Sequence, residues 1–123
     1  MALTRPMRLV KTLYDKSRAG HVDWQVGIGD DEFQVSSAEY TIKISTKAGR
    51  QGSTDYVIAV LNDEGTVVDR FTDVELDSEE GSQLGQWYGT MRELHDMARR
   101  HARGADKALD AILKELGEDD IPF

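Results

Sequence analysis

The 123-residue chain contains no cysteine, which excludes disulfide scaffolds, thiolate zinc sites, iron–sulfur clusters and cysteine nucleophiles together. It has only two prolines and no apolar run longer than the six residues from Tyr56 to Leu61, where a membrane-spanning helix needs about 20. The first residues, MALTRPMRLVKTLY, lack an apolar stretch followed by small residues, so the expectation is a cytoplasmic protein without a secretory signal or membrane segment. Basic residues are also scarce. Fifteen Lys and Arg face 23 Asp and Glu, for a formal charge of −8, which argues against a general nucleic-acid binder. What remains is 39% hydrophobic and 31% charged, a balance suited to one globular domain over residues 1–123.

The charge is segregated. Residues 1–20 carry five basic groups against one acid, and residues 92–103 carry four against two. Between them, residues 21–91 carry four basic groups against fourteen acids, and residues 104–123 carry two against six. Two basic helical segments therefore flank a strongly acidic middle.

Hydrophobic spacing orders the elements. Thr4 as a hydroxyl cap, Pro6 in the first turn and an apolar stripe through Met7, Val10, Leu13 and Tyr14 predict a helix over 5–18, stopped by Gly20. The period then changes to two: Val22, Trp24, Val26 and Ile28 alternate, then Phe33 and Val35, then Tyr40, Ile42 and Ile44. Lys47 to Asp55 reads as a mobile hairpin connection. Tyr56 to Leu61, apolar on both faces, reads as a central strand, and Asn62-Asp63-Glu64-Gly65 turns it into a strand over Thr66 to Phe71.

Asp77 or Ser78 is placed to cap a helix with Glu79 and Glu80 in its first turn. A broad apolar face follows through Leu84, Trp87, Tyr88, Met91, Leu94, Met97, Ala98 and His101. Gly104 ends that helix, and Asp106 to Leu116 forms another, halted by Gly117. The predicted class is α+β: an N-terminal helix, an antiparallel sheet of about four to five strands, and two C-terminal helices packed on one sheet face. The tail, residues 118–123 (Glu-Asp-Asp-Ile-Pro-Phe), reads as a frayed end, a fold-back over the core or a recognition peptide.

Chemistry is sparse. His95 and His101 stand six apart, about 600° of helix rotation, and so cannot share a metal on one helix; His21 lies far away in sequence. Asp30-Asp31-Glu32 lacks the alternating oxygens of a calcium loop, and Gly27-Ile28-Gly29 lacks the third glycine of a dinucleotide fingerprint. Ser36-Ser37 and Ser45-Thr46 have no nucleophile elbow around them. No metal and no cofactor is expected. Asp73, Glu75 and Asp77, if extended, project from one side, as a solvated acidic edge that discourages strand pairing or as a clasp for a cation or a basic partner.

The basic stripe is the most suggestive feature. Arg92, Arg99 and Arg103 share one helix face with Arg100 beside them, a pattern suited to carboxylates of a protein partner or to phosphate. An Asp96–Arg100 pair accounts for part of it within the chain. A small-ligand pocket between sheet and helices would lie near Trp24, Trp87, Tyr88 and Arg92.

The segments LHDMARRHARGADKALDAILKEL (residues 94–116) and YVIAVLNDEGTVVDRF resemble small bacterial single-domain proteins in which an LY-containing helix and a VDW-like strand lead into a short sheet. The shared motifs are core and surface patterns, so the resemblance implies a bacterial cytoplasmic origin and carries over no functional residue. The expectation is a non-enzymatic protein-interaction module, accessory, immunity or adaptor in kind, with a charge-complementary protein partner. The alternative is a ligand- or nucleotide-responsive regulator. Homo-oligomerisation through a sheet edge or the Gly85/Gly89 helix is compatible with either.

Overall fold

A computed structural model describes residues 3–79, 81–83 and 85–117. Helix α1 spans Arg5–Arg18, as the capping pattern predicts: the Thr4 hydroxyl accepts the Met7 amide at 3.4 Å, and Met7, Val10 and Leu13 are buried. Five strands follow, β1 (Gln25–Val26), β2 (Phe33–Ser36), β3 (Tyr40–Ala48), β4 (Thr54–Asn62) and β5 (Val67–Thr72). They pair in sequence order as an antiparallel meander. Helix α2 (Asp73–Asp77) is a single turn, and α3 (Gln86–Ala102) and α4 (Ala105–Leu116) complete the α+β arrangement. No helix among the described residues is long and apolar enough to cross a membrane.

Register explains the layering. Phe33, Ile44, Ile58 and Phe71 stand directly opposite one another across β2, β3, β4 and β5, and each is buried. Directly paired residues share a face, so this row forms the floor on which Met7, Val10 and Leu13 of α1 and Trp87, Met91, Leu94 and Ala98 of α3 pack. One residue away, Gln34, Lys43, Ala59 and Arg70 form a mostly polar row on the opposite face. The alternation in β2 and β3 is thus one-sided burial. β4 is paired along both edges, with Val57 and Ile58 buried on opposite faces. At its end, Asn62 turns the chain: its carboxamide oxygen accepts the amides of Glu64 and Thr66, both at 3.0 Å, and Gly65 takes a positive φ of 80°.

Four expectations are corrected. The alternating run from Val22 to Ile28 yields only a two-residue strand, and Ile28 is 96% exposed. The Gly27 amide still bonds the Glu32 carbonyl across the ladder at 2.8 Å, but the chain then turns back at once, with the Glu32 amide on the Gly29 carbonyl at 3.3 Å and Asp31 at a positive φ of 52°, so Ile28 has no strand partner. The hairpin connection is shorter than expected, since β3 and β4 run on to Ala48 and from Thr54 around the Arg50–Gly52 turn. Asp73, Glu75 and Asp77 are not an extended acidic edge but the helix α2, capped by the Thr72 hydroxyl on the Glu75 amide at 3.2 Å. Asp77 does cap a helix, though not the adjacent one: its carboxylate accepts the amides of Trp87 at 2.7 Å and Tyr88 at 3.2 Å, at the start of α3. Gly81 and Gly85, both at positive φ, hold the intervening segment out of helix. Glu80, Leu84 and the tail 118–123 lie outside the described residues. Among the described residues, nothing stands within 4 Å of where a side chain would begin at Gly85 or Gly89, so neither is a packing notch against them.

Asp73 is only 3% exposed, and its carboxylate accepts the Tyr56 amide at 2.7 Å. Burial raises its pKa above the ordinary 3.8, against the opposing effect of that hydrogen bond. Between 3.8 and the raised value the folded chain keeps a proton that the unfolded chain has released, so stability falls as pH rises through that window. Asp73→Asn, which keeps an oxygen for Tyr56, is expected to flatten this part of the urea-unfolding pH profile. Asp73→Leu is expected to cost about 1–3 kcal/mol by orphaning the amide. Equal stability of the two variants at neutral pH would refute this account.

Candidate functional site

Helix α3 carries the arginine stripe, and tertiary pairing divides it. Arg99 pairs with Asp96, Arg100 with Asp106 at 2.9 Å, and Arg103 with Asp31 at 3.3 Å. The sequence pairing of Asp96 with Arg100 is therefore replaced by the i, i+3 pair with Arg99, leaving Arg100 to the first turn of α4. Arg103 also lies over the Phe33 ring, 5.4 Å from its centroid. Arg92 alone of the four makes no ion pair or hydrogen bond among the described residues.

An open cleft of about 1120 Å³ is lined by α1, α3, the β3–β4 hairpin and Asp31. Tyr14 and Arg18 of α1 line it, as do Thr46, Thr54 and Tyr56 of the β3–β4 hairpin. From α3 come Gly89, Arg92, Glu93, His95, Asp96, Met97 and Arg99. The Tyr14 hydroxyl donates to Glu93, and that bond, with burial and the Glu93 charge, raises the Tyr14 phenol above its ordinary pKa. Burial, and then the neighbouring Tyr88, raises the Tyr56 phenol as well, with Arg92 opposing. Both hydroxyls therefore remain proton donors at neutral pH.

Two of the three histidines, His95 and His101, have hydrogen-bond partners for their side chains. His95 is buried between the rings of Phe33 and Tyr56, at 5.4 and 5.5 Å, and its Nε2–H donates to the Asp31 carbonyl at 2.8 Å. With Arg103 on the Asp31 carboxylate, it ties the β1–β2 loop to α3 at a residue held at a positive φ of 52°. His101 donates to Asp23 at 2.8 Å. No metal-holding cluster of His, Asp and Glu exists among the described residues.

The expected aromatic pocket is dispersed. Trp24 is 1% exposed, donates its indole N–H to the Ser17 hydroxyl at 2.9 Å, and borders a smaller cleft of about 400 Å³ with Arg100 and Arg103. Trp87 is 4% exposed within the main core. Tyr88 stands apart from both, edge-on to Tyr56 at 5.7 Å. Of the residues expected around that pocket, Arg92 lines the large cleft.

Helix α4 presents a second surface. Its apolar stripe was readable in the sequence, but its lack of cover among the described residues was not. Leu109, Ile112 and Leu113 remain 51%, 50% and 44% exposed, and α3 is its principal packing neighbour. At about 100° per residue, Ala105, Leu109, Ile112, Leu113 and Leu116 share one side. Asp106, Asp110 and Glu115 flank that stripe, and Lys107 and Lys114 occupy the opposite side. Comparison with protein-family models, curated proteins and solved structures finds no match for this chain.

Proposed function

We propose that this chain is a non-enzymatic interaction module whose docking element is α4, received by an apolar groove with a basic rim on a partner protein. The supporting observation is the uncovered Leu109–Ile112–Leu113 stripe on a helix of only 12 residues. Helices of this length are marginal in water unless an apolar face is packed. The flanking charge selects the partner's chemistry: Asp110 and Glu115 border the stripe without an ion pair among the described residues, Asp106 beside them holds Arg100, and the lysines face away, so a basic rim is attracted and an acidic one repelled. The arginine stripe of α3 is a poorer docking surface, because Arg99, Arg100 and Arg103 already hold carboxylates of the same chain.

The test is a photo-crosslinking residue placed at Leu113 or, as control, at Lys107, in the full chain in native lysate. One protein captured from position 113 and not from 107 is expected. Once that protein is purified, Ile112→Asp should weaken its direct binding about a hundredfold, the scale of a central apolar anchor. The melting temperature of the variant should stay near that of the parent, since Ile112 is outside the core. Equal capture from both positions, unaltered binding by the variant, or self-crosslinking of the purified chain through position 113 would overturn the reading.

A further inference from the structure

We infer that the hairpin side of the α3 cleft is a binding site for a phosphate monoester, held by Arg92 from the helix and by the hydroxyls of Thr46, Thr54 and Tyr56 from the sheet. Register brings the three hydroxyl residues together: Thr46 pairs directly with Tyr56, and Thr54 precedes Tyr56 by two residues, so all three project from one face. That face meets α3 where Arg92 lines the same cleft. None of the three hydroxyls, nor the Arg92 guanidinium, has a hydrogen-bond partner among the described residues. Elsewhere on α3 the arginines are satisfied within the chain, which makes the idle donors around Arg92 an exception rather than the rule.

The acids that line the cleft have partners of their own, although the charges of Asp73 and Asp96 reach the Tyr56 phenol and oppose that of Arg92 there. Asp96 holds Arg99, Asp31 holds Arg103, and Glu93 accepts the Tyr14 hydroxyl. Gly89, three residues before Arg92, has no side chain, and nothing stands within 4 Å of where one would begin, so the approach is open. A guanidinium fork fits two oxygens in a plane, which a carboxylate also offers. Hydroxyls arriving from the sheet suit a third oxygen out of that plane, which a phosphoryl group has and a carboxylate lacks. The cleft volume of about 1120 Å³ exceeds what the free ion fills and leaves room for the organic group of an ester.

Backbone NMR titration of the full chain with phenyl phosphate, inorganic phosphate and benzoate tests this. Phenyl phosphate is expected to give saturable shifts centred on Thr46, Thr54, Tyr56 and Arg92. Arg92→Gln should raise its Kd about tenfold, the effect of one charged hydrogen-bonding partner. Arg99→Gln, which removes an arginine already paired with Asp96, should change Kd by less than about threefold. Non-saturating shifts, shifts centred elsewhere, or equal weakening by the two variants would overturn the site. Benzoate binding as tightly as phenyl phosphate would overturn the phosphoryl assignment, and inorganic phosphate doing so would overturn the monoester.

Discussion

Phe33→Ala is expected to destabilise the chain by about 3–5 kcal/mol, the range for deleting a fully buried aromatic side chain. Phe33 is 1% exposed and stands in the row with Ile44, Ile58 and Phe71 that forms the floor of the core. Its ring also meets the His95 ring at 5.4 Å and lies under the Arg103 guanidinium, so truncation leaves a cavity where the β1–β2 loop is tied to α3. For a domain with total stability of about 5–15 kcal/mol, this is a loss that leaves a measurable unfolded fraction in mild urea. Phe33→Leu, which keeps most of the volume, should cost only about 1–2 kcal/mol. Urea unfolding monitored by tryptophan fluorescence provides the measurement. Similar midpoints for Phe33→Ala and the parent would remove Phe33 from the core.

Asp77→Ala is expected to cost about 2 kcal/mol, although Asp77 contributes no apolar surface. Its carboxylate receives the amides of both Trp87 and Tyr88, two donors at the start of α3 that helical geometry leaves without intrahelical acceptors. A carboxylate at this end also meets the positive pole of the helix. The consequence extends past one cap, because Trp87 enters the core from this first turn while Asp77 closes the connection from α2. Hydrogen exchange should report the loss locally: the Trp87 and Tyr88 amides should exchange faster by a factor of about ten or more, with smaller changes in the middle of α3. Asp77→Asn, which retains an acceptor oxygen but not the charge, should recover part of the stability. Unchanged protection at Trp87 in Asp77→Ala would show that the cap does not hold the helix start.

The same two residues mark how much could be read before the fold was known. Phe33 was legible as a strand residue from its alternation with Val35, and α1 was legible to its ends because Thr4, Pro6 and the Met7–Val10–Leu13 stripe are local signals. The order of elements, the turn at Asn62–Gly65 and the α+β class follow from equally local periodicities. Asp77 was recognisable as a capping residue, yet its helix begins nine residues further on, across a glycine-containing segment whose path no periodicity describes.

Charge pairing behaved likewise. Local spacing places four arginines on or just beyond α3 and sets their directions around the helix. Which of them are free depends on partners brought in by the fold. Asp31 reaches Arg103 across 72 residues, and Arg92 lines the same cleft as Thr46, Thr54 and Tyr56 of the distant hairpin. The aromatic residues were divided in the same way, Trp24 and Trp87 to the core and Tyr56 to the cleft. The apolar side of α4 was determined locally too; that it remains uncovered was decided by where the α3–α4 turn points it. The physical reason is range: capping, periodicity and turn chemistry act over a few residues, whereas burial and ion pairing depend on neighbours that only the folded chain supplies.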